Sequence, residues 1–217
     1  MANRLIALVA LVILTIPALQ SSAAASERPP FAGLMGDFEA FDPPREMPPI
    51  GFVDGDQQPV GIADFAGKIV VLNLWATWCA PCVREMPALD RLQAARGGDD
   101  FAVVAVSFDR KGVPIVERFF TRRDIDHLAI YVDKFVKTFR AIKLEALPTT
   151  YILGRDGRAR GILVGPAEWD SPEALALIDH YLAAGSDANK TVQQAAGQRA
   201  AGQRAAGQRV GTGVSPE

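Results

Sequence analysis

The residues best suited to chemistry are Cys79 and Cys82, the two cysteines of a 217-residue sequence. Ala80 and Pro81 separate them and Trp78 precedes them, giving WCAPC. Two thiols at this spacing can close a disulfide, hold a soft metal, or exchange electrons with another dithiol. A structural staple is the poorest use, because so short a loop removes little chain entropy. A closed zinc site would require His127 and His180 to converge on the pair from far along the chain. A Cu(I) site would suit soft thiolates, yet no His or Met cluster stands near to complete it, and Met86 falls on the apolar stripe of an expected helix. Dithiol exchange needs only a nucleophile, a resolving thiol and access for the other molecule.

The elements around the motif favour exchange. Ile69 to Trp75 (IVVLNLW) is a near-continuous apolar run of the kind found in buried central strands. From Cys79 to Ala95, Val83, Met86, Leu89 and Leu92 recur at helical spacing; Pro87 should kink that helix and Gly97-Gly98 should end it. The cysteines therefore lie where a strand gives way to a helix. There, unpaired N–H groups and the helix dipole favour negative charge, which makes Cys79 the expected attacking thiolate. Cys82, one turn inward, would resolve the mixed disulfide.

The rest of the chain reads as one α/β domain between two tails. Arg4, the apolar run Leu5 to Ile16, Pro17 and the small residues Ala23, Ala24 and Ala25 have the order of a secretory signal over residues 1–25. An uncleaved anchor is the alternative, although the run is shorter than the ~20 residues that span a bilayer comfortably. Residues 26–45 are rich in Pro and Gly and are expected to form a linker or surface arm. Residues 46–185 should fold, with further strands at Phe101 to Phe108, Leu128 to Val132, Thr150 to Leu153 and Gly161 to Val164. Helices are expected at Val113 to Arg123, at Lys134 to Ala141, and from Ser171-Pro172-Glu173 to about Ala184. Asp156-Gly157 marks a hairpin turn. Residues 186–217 carry QQAAGQRAAGQRAAGQR, a small and polar repeat expected to be disordered.

With a formal net charge of −2, nothing in the composition marks a nucleic-acid or anionic-membrane binder.

Three segments, in order, resemble the thioredoxin superfamily and more closely its TlpA-like or ResA-like exported branch. They are GKIVVLNLWATWCAPCVREMP (Gly67 to Pro87), VVAVSFD (Val103 to Asp109) and LPTTYILGRDGR (Leu147 to Arg158). The resemblance implies a thioredoxin-like fold, a central mixed sheet flanked by helices, with an extra helix and strand between about Lys111 and Phe139. It implies a periplasmic protein thiol-disulfide oxidoreductase whose redox-active disulfide is Cys79–Cys82, with no other cofactor and no metal. It also implies a cis bond before Pro148 in a loop facing the cysteines, with Leu147, Trp78, Ala80 and Pro81 touching the bound partner.

Asn73 stands where thioredoxin has a buried Asp, and Asn cannot titrate. The branch instead has a Glu three residues after the second Cys. Here that is Glu85, a helical neighbour of Cys82 able to relay its proton. Trp75 is expected in the core, Trp169 is expected to pack before the last helix, and Arg84 is expected to be solvated.

The family context favours a reductant of protein disulfides, in cytochrome c maturation or copper-site assembly, recharged by a membrane thiol-disulfide donor and acting as a monomer. A disulfide oxidase or isomerase, and a Cu(I)-binding chaperone, are the alternatives.

Overall fold

The computed structural model describes residue 35 and residues 37–184. The expected signal segment and the C-terminal repeat lie outside the described residues. In chain order the elements are β1 (Glu39–Arg45), β2 (Gly51–Asp54), β3 (Pro59–Gly61), a 3-10 turn (Ile62–Phe65), β4 (Ile69–Trp75) and α1 (Ala80–Arg96). Then come β5 (Phe101–Ser107), α2 (Val113–Arg123), β6 (Tyr131–Val132), α3 (Lys137–Ala141), β7 (Thr149–Leu153) and β8 (Ala159–Val164). Residues 172–184 form the last helix, α4.

The strands make one eight-stranded mixed sheet in the order β1-β8-β7-β4-β5-β6-β2-β3. β4 and β5 pair in parallel, as a strand-helix-strand crossover through α1 requires, while β7 runs antiparallel to β4. All seven residues of β4 are buried, because the sheet is covered on both faces. Its side chains alternate between two cores. Ile69, Val71 and Trp75 join the layer that includes α1, α2 and α4, while Val70, Leu72 and Leu74 join the opposite layer with Phe41, Phe52 and Leu144.

The central strands and α2 follow the sequence expectation. α1 runs on through Pro87 to Arg96, and its C-cap is Gly97. β7 and β8 form the expected hairpin, with Gly157 at φ 75° in the turn. Ser171 Oγ accepts from the Ala174 N–H, capping α4 as expected.

Three expectations need correction. Residues 39–45 are not part of a linker: they form β1 and pair antiparallel with β8. The proline count argued against packing, but Phe41 is buried on one face of the sheet and Phe38 on the other. Gly161 makes room for that segment, since a Cβ there would collide with the Phe38 ring and the Glu39 carbonyl. β6 is limited to two residues, Tyr131–Val132, rather than starting at Leu128. The chain before it is held as a loop by Asp90, whose Oδ1 accepts from the N–H groups of His127 and Leu128 at 2.7 and 3.0 Å. α3 starts at Lys137 rather than Lys134 because Val136 sits at φ 51°, outside the helical region, and Asp133 Oδ2 accepts from the Thr138 N–H at 2.6 Å. β2 and β3, short and flanked by turn residues, carry too little pattern to be read from the sequence.

Candidate active site

The site is built on the junction between β4 and α1. Cys79 is the N-cap of the 17-residue α1, and its Sγ accepts from the Cys82 N–H at 3.3 Å. Pro81, in the first turn, has no N–H to leave unpaired. Cys79 and Cys82 are joined in a disulfide. Cys82 is wholly buried and Cys79 is 7% exposed, so Cys79 is the cysteine of the pair that is open to another molecule. Ala80 is exposed, Pro81 is half-buried, and Trp78 is 70% exposed at the rim.

The loop before the cysteines is clamped from β5. Asp109, just past the end of β5, accepts from the Thr77 N–H at 2.8 Å, from the Thr77 hydroxyl at 2.7 Å and from the Ser107 hydroxyl at 2.8 Å. These bonds fix the backbone one residue before Trp78.

Leu147–Pro148 is a cis peptide bond. Thr149 opens β7 opposite Leu74, so Leu147 and Pro148 lie at the same end of the sheet as the residues leaving β4 toward Cys79. Pro148 is buried and its carbonyl accepts from the Gly165 N–H at 2.9 Å; Leu147 is half-buried and shares a surface groove with Thr77 and Trp78.

Glu85 lies three residues beyond Cys82 on the buried side of α1 and is 3% exposed. Its Oε1 accepts from Asn73 Nδ2 at 2.8 Å, and its Oε2 accepts from the Ala167 N–H at 3.0 Å and Trp169 Nε1 at 3.2 Å. Burial pushes its pKa up to about 7, against the three hydrogen bonds that favour the charged form. Asn73 also donates to the Thr150 hydroxyl at 2.9 Å, tying the group to β7. The non-titrating Asn73 thus holds the titrating Glu85 from the neighbouring strand.

Trp169 is buried as the sequence suggests, but it is more than core: its indole N–H reaches Glu85. Its place in GPAEWDS, far from the cysteines in sequence, gave no sign of this contact. Trp75 is core, with its ring 6.0 Å from Phe120 in a stacked arrangement. Met86 is fully buried, Arg84 and His127 are exposed, and His180 packs edge-on against Tyr181. Among the described residues no cluster of three or more His, Cys, Asp or Glu could hold a metal.

Fold and site together define the class: a protein thiol-disulfide oxidoreductase of thioredoxin-like architecture. A thiol-disulfide oxidoreductase ResA of Bacillus cereus is 27% identical over 135 residues, spanning 62% of this chain and 77% of that protein. The thioredoxin-like protein YneN of Bacillus subtilis (strain 168) is 38% identical over 130 residues, spanning 54% of this chain and 74% of that protein. A solved DsbF homologue from Corynebacterium diphtheriae has a TM-score of 0.54 at 26% identity, covering 66% of this chain and 90% of its own. The Redoxin family model matches residues 43–178, and the chain belongs to that family.

Proposed function

We propose that this protein is an exported reductant of protein disulfides, of the type that serves cytochrome c maturation or copper-site assembly. The observation that carries the direction of electron flow is the buried Glu85 one turn beyond Cys82. A strong oxidant owes its potential to a stabilised thiolate in the reduced form. A buried carboxylate beside the resolving cysteine opposes a thiolate there, which favours the disulfide and makes the dithiol the better electron donor. Export follows from the N-terminal segment around Leu5 to Ile16 and the small residues after it.

In the reduced protein the Cys79 thiolate attacks one sulfur of a partner disulfide and expels the other as a thiolate, which takes a proton from water. Cys82 then gives its proton to the Glu85 carboxylate and attacks the Cys79 sulfur. The mixed disulfide breaks, and the Cys79–Cys82 disulfide forms. The partner leaves with both cysteines reduced, having gained two electrons. Leu147, Ala80, Pro81 and Trp78 form the rim that meets the partner, and the cis Pro148 shapes the loop that carries Leu147. The cysteine pair is the whole redox centre, acting in a monomer without metal or other cofactor, and a membrane thiol-disulfide donor restores the dithiol.

The test is the reduction potential of the Cys79–Cys82 pair, measured by equilibrating the protein in thiol buffers and following Trp78 fluorescence. A value near about −270 mV is expected, and one near about −120 mV would reverse the assignment in favour of an oxidase.

A further inference from the structure

The loop that leads into Cys79, Thr77 and Trp78, borders a groove with a chemical character of its own. Four separate segments meet there: Trp78 from the loop after β4, Phe108 to Lys111 and Ile115 around the start of α2, Val136 and Phe139 at α3, and Leu147 before β7. The space they enclose is about 560 Å³. Its apolar lining is made of Phe108, Ile115, Val136, Phe139 and Leu147 together with the exposed Trp78, the residue that precedes Cys79. An apolar groove adjoining the loop that leads into Cys79 offers a partner molecule a place to bind.

The rim adds charge. Arg110 and Lys111 line the groove and are exposed, and among the described residues neither has an ion-pair partner. Six other arginines pair with carboxylates, while Arg84, Arg122, Arg123 and Arg140, like these two residues, have no ion pair among the described residues. Asp109, next in sequence to Arg110, directs its carboxylate to Thr77 and Ser107. Two cations therefore stand at an apolar groove, and a bound molecule carrying negative charge there is favoured over one carrying positive charge.

We propose that this groove docks an extended polypeptide segment of the partner that carries an apolar side chain and at least one carboxylate close to its reactive cysteine. The proposal rests on the thiol-exchange reading of Cys79. The apolar side chain fills the groove, the carboxylate faces Arg110 and Lys111, and the partner sulfur is presented to Cys79. Since the whole chain is slightly acidic, this attraction is local to the rim.

The experiment uses the reduced protein and a series of disulfide-bonded peptides of one length. Each carries Leu beside the cysteine and flanks of Glu, Gln or Lys; glutathione disulfide, which brings carboxylates without an apolar side chain, is the comparator. The Glu peptide should be reduced about tenfold faster than the Lys peptide at low salt, and the two rates should converge at about 1 M salt. Replacing Arg110→Gln together with Lys111→Gln should bring the Glu-to-Lys ratio to about one. Equal rates for the Glu and Lys peptides in the native protein would overturn the proposal. So would an unchanged ratio in the double variant, or a glutathione disulfide rate equal to that of the Glu peptide. If no disulfide in the series is reduced at all, the thiol-exchange reading itself fails, and the docking proposal with it.

Discussion

Glu85 concentrates the chemistry that can be measured on a single side chain. An acid with a raised folded pKa binds its proton in the native state over a range where the unfolded chain has already released it. Below about 4.5 both states are protonated; from there up to about 7 the folded state holds the extra proton, so stability falls as pH rises. The shift corresponds to about 3 kcal/mol lost between pH 4.5 and 7, fully expressed above pH 7. Urea unfolding of the oxidised protein should show that decline, and Glu85→Gln should flatten it. The slope is the readout because Gln does not titrate, while the change it makes in the hydrogen bonds with Asn73, Ala167 and Trp169 does not vary with pH. The spacing of Glu85 from Cys82 was legible in the sequence, because neighbours on a helix are fixed by its period. Its partners Asn73, Ala167 and Trp169 come from β4 and from the segment after β8, and only the folded sheet brings them together.

At the level of elements, what positions the nucleophile is the helix cap together with the clamp from β5. The sequence showed the cap, since a cysteine between a buried strand and an apolar helical stripe can occupy few other places. Asp109 was visible only as the end of VVAVSFD, with nothing to indicate that it reaches Thr77. Asp109→Ala would leave the Thr77 N–H and two hydroxyls without their acceptor. A loss of about 2–4 kcal/mol is expected in urea unfolding, together with slower exchange with a disulfide peptide as the Trp78–Cys79 turn loosens. An unchanged exchange rate would mean that α1 alone holds the cysteines. The middle of the chain resisted reading for a related reason. Asp90 and Asp133 tie down backbone N–H groups that would otherwise extend β6 or α3, and such side-chain bonds leave no periodic trace.

On the scale of the whole molecule, the segment before β2 belongs to the fold. Met35, Phe38 and Phe41 are buried, and Phe38 packs against the backbone of Gly161. Phe38→Ala should therefore cost about 3–5 kcal/mol in chemical denaturation, as for a core aromatic, rather than the ~0.5 kcal/mol or less of a linker position. Composition concealed this, because prolines that signal a linker are equally at home on the outermost strand of a sheet.

Those same prolines have a bearing on solubility. β1 and β3 are the two borders of the sheet, and both contain proline: Pro43 and Pro44 in β1, Pro59 in β3. A border strand with a full row of free N–H groups invites other chains to add to it, which is how soluble proteins begin to aggregate. Proline removes the donors such growth requires. A thiol-disulfide oxidoreductase that meets other polypeptides is thereby shielded at both ends of its sheet from serving them as a template.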